Sequence, residues 1–121
     1  MKVRRWLPPL LWAGLIFFAT SMPGSLLPQQ VSTVDKLAHF TMYMVLAFLL
    51  ARYRSEVTSR WRSAGFALAV AIAYGAIDEW HQQFIPGRST ELADWYADSL
   101  GAASGALLFL LYSWRSRTLT A

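Results

Sequence analysis

The sequence predicts an all-α fold, that of a polytopic membrane protein with four transmembrane helices, and three observations carry this. The 121 residues are 55% hydrophobic and only 15% charged, an apolar excess beyond that of an ordinary soluble domain. Four apolar stretches, residues 6–22, 37–51, 64–77 and 95–114, are each bounded by charge or by turn residues. Within them apolar side chains fall on all helical faces, as expected where lipid surrounds a helix. Finally, Lys and Arg are segregated between alternate connections.

The first span, residues 6–22, follows Lys2, Arg4 and Arg5. Pro8 and Pro9 are expected in its first turn, where a missing N–H costs least. A basic start, an apolar middle and the small residues Ala19 and Ser21 also fit a cleaved signal peptide, which would leave three spans of the same orientation. The second and third spans reach the roughly 20 residues needed to cross a bilayer only if their polar ends are drawn in, giving spans near 36–52 and 62–79. The fourth covers residues 94–114, so a single transmembrane domain fills residues 1–121.

Orientation follows from charge. Arg52, Arg54, Arg60 and Arg62 lie between the second and third spans, and Arg115 and Arg117 follow the fourth. With the N-terminal three, these place both ends and the middle connection on the cytoplasmic side of an inner membrane. Only Lys36 and Arg88 remain on the outward side. The chain has no cysteine, which excludes disulfides, thiolate metal sites and cysteine nucleophiles. Its net charge of +4 is scattered, with no basic face interleaved with aromatics, so nucleic acid is not an expected partner. Trp6, Trp61, Trp95 and Trp114 sit at span ends as interfacial anchors.

The outward half holds Asp35, Asp78, Glu79, Glu91, Asp94 and Asp98, both histidines (His39 and His81), Lys36 and Arg88. Helical rise puts Asp98 and Glu79 about 25 Å above the inner interface, His39 about 20 Å and Tyr43 about 14 Å. Ionisable groups at such depth face the bundle interior, pair with one another and mark functional sites by default. Asp35, His39 and Tyr43 share one helical face; Gly75, Asp78, Glu79 and Gln82 share a second; Asp94, Asp98, Gly101 and Gly105 share a third. Gly101 and Gly105 form a small-xxx-small pattern that admits a neighbouring backbone. Between the third and fourth spans, Phe84-Ile85-Pro86-Gly87 is a turn with an apolar tip. This connection is a candidate re-entrant loop that would deliver Arg88 to Asp78, Glu79 or Asp94, or to an anionic headgroup.

Asp35-Lys36-x-x-His39-Phe40-x-x-Tyr43, Gly75-x-x-Asp78-Glu79-x-x-Gln82-x-Phe84-x-Pro86-Gly87-Arg88 and Asp94-x-x-x-Asp98-x-x-Gly101-x-x-x-Gly105 closely resemble the signature of the VanZ-like family. The resemblance spans nearly the whole chain. It implies a four-helix membrane protein of the bacterial cell envelope, in a family named for a member that gives low-level resistance to the glycopeptide antibiotic teicoplanin. Many relatives carry Asn where this chain has Asp98, which implies a hydrogen-bonding role at that position.

Three functions remain open on the sequence. In the first, Asp35, Lys36, His39, Tyr43, Asp78, Glu79, Gln82, Arg88, Asp94 and Asp98 form an outward pocket. Its ligand is a membrane lipid, a lipid-linked cell-wall precursor or the lipophilic part of a glycopeptide. In the second, the protein is an outer-leaflet enzyme acting on a phosphoryl or acyl group, with His39 or Glu79 as general base and Lys36 and Arg88 stabilising developing charge. That reading admits a divalent metal on Asp35, His39 and Glu79, but HExxH, a nucleophile elbow and a complete paired-aspartate signature are all missing. In the third, the polar residues only hold the helices in register, His39 donating to Glu79 or Asp35 and Arg88 capping the cluster. No cofactor is required by the first or third reading, and no oligomeric state is expected from the sequence.

Overall fold

Four long helices follow one another in the computed structural model, which describes residues 3–26 and 32–120. They are α1 (Val3–Thr20), α2 (Ser32–Arg54), α3 (Arg60–Gln82) and α4 (Leu92–Thr120), with a 3-10 turn at Gly24–Leu26 and no strand among the described residues. Each helix contains or overlaps one apolar stretch of the sequence. Ser59 caps α3, its hydroxyl accepting from the Arg62 N–H at 3.3 Å and so satisfying one of the orphan donors of the first turn.

Helices α2, α3 and α4 pack mutually, and α1 lies mainly against α2. The seams are built from small residues. Ala47, Ala51, Ala67, Ala71 and Ala102 are fully buried, with Ile16, Tyr43 and Phe109 as the larger fillers. At the α2–α4 seam a Cβ added to Gly101 would collide with the Phe40 carbonyl, and one added to Gly105 with the Met44 carbonyl. Backbones this close require glycine, as the four-residue spacing predicts. Midway along α1, Trp12 Nε1 donates to the Met42 carbonyl at 2.8 Å and Tyr74 Oη donates to the Ala13 carbonyl at 2.7 Å, pinning the helix to α2 and α3.

The prolines differ from expectation. Helix α1 begins at Val3, so Pro8 and Pro9 lie inside it rather than in its first turn. The carbonyls of Arg4 and Arg5 thereby lose their i+4 donors. Both residues are exposed at the end of the bundle, where solvent and the interface replace those bonds. At the same end, Arg5 meets Glu56 of the α2–α3 connection at 2.9 Å.

The bundle exposes much apolar surface and buries a polar group at one end of its apolar core. Leu11, Phe18, Leu37, Ile77, Leu100 and Leu107 are exposed, while His39, Asp78, Glu79, Gln82, Asp94 and Asp98 are buried. Exposed large apolar side chains together with buried ionisable ones depart from the arrangement of a water-soluble bundle. One helix, α2 over Thr33–Arg54, is long and apolar enough by length and composition to cross a membrane. The others are diluted by Arg and Pro in α1 and by Ala, Gly, Ser and interior acids in α3 and α4.

Candidate functional site

The three polar faces meet at the end of the bundle where α3 runs into α4. From α2 come Asp35 and Lys36, both half-buried, and His39 and Tyr43, both buried; from α3 come Asp78, Glu79 and Gln82; from α4 come Asp94 and Asp98. His39 Nδ1 lies 2.8 Å from Asp98 Oδ1, with the two side chains 3% and 0% exposed. Asp98 fits there because Gly75 of α3 leaves room: a Cβ on Gly75 would stand 3.2 Å from Asp98 Oδ2. Asp78 accepts from Thr20 Oγ1 of α1 at 2.6 Å and, at 3.4 Å, from Tyr43 Oη. Lys36 bridges Glu91 and Asp94 at 3.1 and 3.0 Å. The Glu91 N–H in turn donates to Glu79 Oε2 at 3.3 Å, and the Thr90 hydroxyl donates to the Glu79 carbonyl at 3.1 Å.

Eight of the ten sequence-predicted site residues therefore gather in one cluster, and Gln82 is buried one turn beyond Asp78 with its Nε2 unpartnered. Arg88 does not join the cluster. Its Nε donates to the Met22 carbonyl at 3.0 Å and its Nη2 to the Ala19 carbonyl at 3.0 Å. Carbonyls at a helix C-terminus have no intrahelical donor and carry partial negative charge, so the end of α1 takes the guanidinium in place of the expected carboxylates. The turn around it is clamped by a further bond, Gly24 N–H to the Pro86 carbonyl at 2.9 Å, with Gly87 at φ 75° closing the bend. A Cβ on Gly24 would strike the Gly87 carbonyl, so the two turns touch through backbone alone.

His39 pairs with Asp98 rather than with Glu79 or Asp35. The expected metal set of Asp35, His39 and Glu79 is split between two groups that share His39. One adds Asp35 and Asp94, the other Glu79 and Asp98, each with its ligand atoms within 4.8 Å of one another. Sequence reasoning missed Thr20, a polar residue near the end of an apolar stretch and only 2% exposed. A hydroxyl in such a stretch is a usable signal, since Ser and Thr side chains there bond across to neighbouring helices. Trp95 was also missed as a site element: its Nε1 donates to the Ile72 carbonyl at 3.1 Å, fixing its ring beside Glu79.

The cluster opens sideways. A groove of about 430 Å³ between α3 and α4 is lined by Ala76, Glu79, Trp80, Thr90, Glu91 and Trp95, so Glu79 is both a buried member of the cluster and part of the groove wall. The groove is otherwise almost wholly apolar, with two indole rings at its margins.

Fold and site together define a class: small all-α proteins of four helices with a cluster of ionisable groups, His39, Asp78, Glu79, Asp94 and Asp98, buried between the helices. The chain belongs to the VanZ/LLP1 family, whose model matches residues 6–113. No curated protein and no solved structure matches it.

Proposed function

We propose that this VanZ-like chain is a multi-pass protein of the bacterial cytoplasmic membrane that crosses it four times with both ends inside. Its outward polar cluster binds the headgroup of a lipid or lipid-linked cell-wall precursor, and this binding modulates susceptibility to teicoplanin-type antibiotics. The observation that carries the binding reading is the lateral groove: an apolar slot bordered by Trp80 and Trp95 that ends on the buried Glu79. An acyl or prenyl chain fits the slot, and its polar head reaches Lys36, His39 and the Thr90–Glu91 turn. Four crossings are supported by the apolar exterior and by the gathering of Arg52, Arg60 and Arg117 around one surface pocket at the opposite end of the bundle. The candidate re-entrant loop is a turn strapped to α1 by Arg88, with the apolar tip residue Phe84 exposed against Trp80 at a ring separation of 5.3 Å. Such a tip is suited to rest in the outer interface.

The absence of native cysteine makes the topology directly testable. Ser89→Cys, at the outward turn, is expected to react in intact spheroplasts with a membrane-impermeant maleimide. Ser116→Cys, in the last turns of α4, is expected to react only after permeabilisation. Labelling of both from the same side would contradict four crossings and favour α2 as the sole span. A second reading, an outer-leaflet enzyme, draws on the His39–Asp98 pair, which has the form of a base held by an orienting carboxylate. No hydroxyl is hydrogen-bonded to His39 among the described residues, so binding is the better-supported function.

A further inference from the structure

The acids of the cluster outnumber its cations, and most of its donors are already committed. Lys36 serves Glu91 and Asp94, Arg88 serves the end of α1, and Thr20 and Tyr43 serve Asp78. Two carboxylate oxygens are left over. Glu79 Oε1 and Asp98 Oδ2 are buried and have no hydrogen-bond partner, on side chains of residues that are 5% and 0% exposed. The sister oxygens are occupied, Glu79 Oε2 by the Glu91 N–H and Asp98 Oδ1 by His39. The buried Gln82 Nε2 is also unpartnered and reaches neither free oxygen. Asp98 Oδ2 faces Gly75, one helical turn from Glu79 on α3, so the free oxygen is directed toward the helix that carries the other carboxylate.

We propose that His39, Glu79 and Asp98 hold a divalent cation of the Mn²⁺ or Zn²⁺ type. The ligand atoms of the three residues lie within 4.8 Å of one another, close to the span that bonds of about 2.0–2.2 Å allow across one ion. One imidazole and two carboxylates form a mixed nitrogen and oxygen set, which suits Mn²⁺ or Zn²⁺ better than Mg²⁺ or Ca²⁺, whose preferred ligands are all oxygen. Binding requires an unprotonated imidazole nitrogen and two carboxylates, so any proton held on a ligand atom in the metal-free protein is released to solvent as the ion enters. The competing group of Asp35, His39 and Asp94 is the poorer host, because Lys36 already occupies Asp94 Oδ1 and Asp35 is only half-buried. Glu79 lines the groove, so the open positions of the ion are reached from there. An ion at this point lets an acidic cluster accept a phosphate oxygen that it would otherwise repel; this last step, unlike the cation site, rests on the lipid-binding function proposed above.

The test uses the full chain in detergent, treated with EDTA, desalted and titrated with MnCl₂ by electron paramagnetic resonance. One ion per chain is expected at micromolar concentration, with Zn²⁺ displacing it and Mg²⁺ failing to do so. Glu79→Gln is expected to weaken uptake by roughly 100-fold at unchanged helicity and elution volume. Asp98→Asn, which keeps an acceptor for His39, gives an independent variant with the same expected loss. No uptake up to millimolar MnCl₂, or equal uptake by both variants, overturns the site. In parallel, capture of phosphatidylglycerol is measured with Mn²⁺ and with EDTA. Equal capture in both, without ion uptake, overturns the cation site and leaves lipid binding standing. Ion uptake without capture supports the site and removes the lipid reading.

Discussion

A Gly105→Leu chain is expected not to accumulate as folded protein. The Cβ of any residue at this position meets the Met44 carbonyl, with the Ala47 side chain 3.1 Å away, so no rotamer choice relieves the clash. Helices α2 and α4 must separate, which opens the most extensive seam in the bundle. Overpacking of a well-filled core costs about 1–3 kcal/mol, and a backbone obstacle places this case at or above the upper end. Gly65→Leu is the control, because nothing lies within 4 Å of a Cβ there. In-gel fluorescence of a C-terminal fusion distinguishes the two: wild-type signal for Gly65→Leu, a loss of most signal for Gly105→Leu. Equal signals would show that the helices do not approach this closely.

The second large effect is expected at Asp98. Asp98→Leu removes the only partner of His39 Nδ1, deep in the bundle, and leaves an orphaned donor at a cost of about 1–3 kcal/mol. Asp98→Asn keeps an acceptor oxygen in place and is expected to be nearly neutral. Thermal unfolding in detergent, followed by tryptophan fluorescence, should show a lower midpoint for the leucine variant and little change for the asparagine variant. A similar fall in both would mean that the negative charge itself, rather than the hydrogen bond, holds the helices. In that case the purely structural reading of the cluster would gain ground.

What the sequence makes legible is periodicity. The four apolar stretches appear as four helices, and residues spaced three and four apart, such as His39 with Tyr43 or Asp94 with Asp98, do share buried faces. Which partner each polar group takes is not legible, because the choice is made across the bundle. Thr20 and Asp78 are 58 positions apart, and His39 and Asp98 are 59 apart. Arg88 shows the limit most clearly. A carboxylate is visible in a sequence as a partner for a guanidinium, whereas the free carbonyls at the end of α1 are backbone groups that exist only once the helix has ended. The start of α1 was obscured for a related reason: Arg4 and Arg5 read as a flanking charge, yet they belong to the helix. Three of the helices also fall short on hydropathy, α1 because it includes Arg4, Arg5 and two prolines, α3 and α4 because their interior faces are polar or small, so composition alone registers only α2 as a span.

The central claim is that the Glu79 end of the groove holds a lipid. It is tested most directly by native mass spectrometry of the protein released from its own membrane, as wild type and as Glu79→Ala. A polyprenyl-linked or anionic lipid bound at one per chain in the wild type, and lost from a variant that accumulates equally, is the predicted result. A bare protein in both preparations, or the same lipid retained in both, would contradict it.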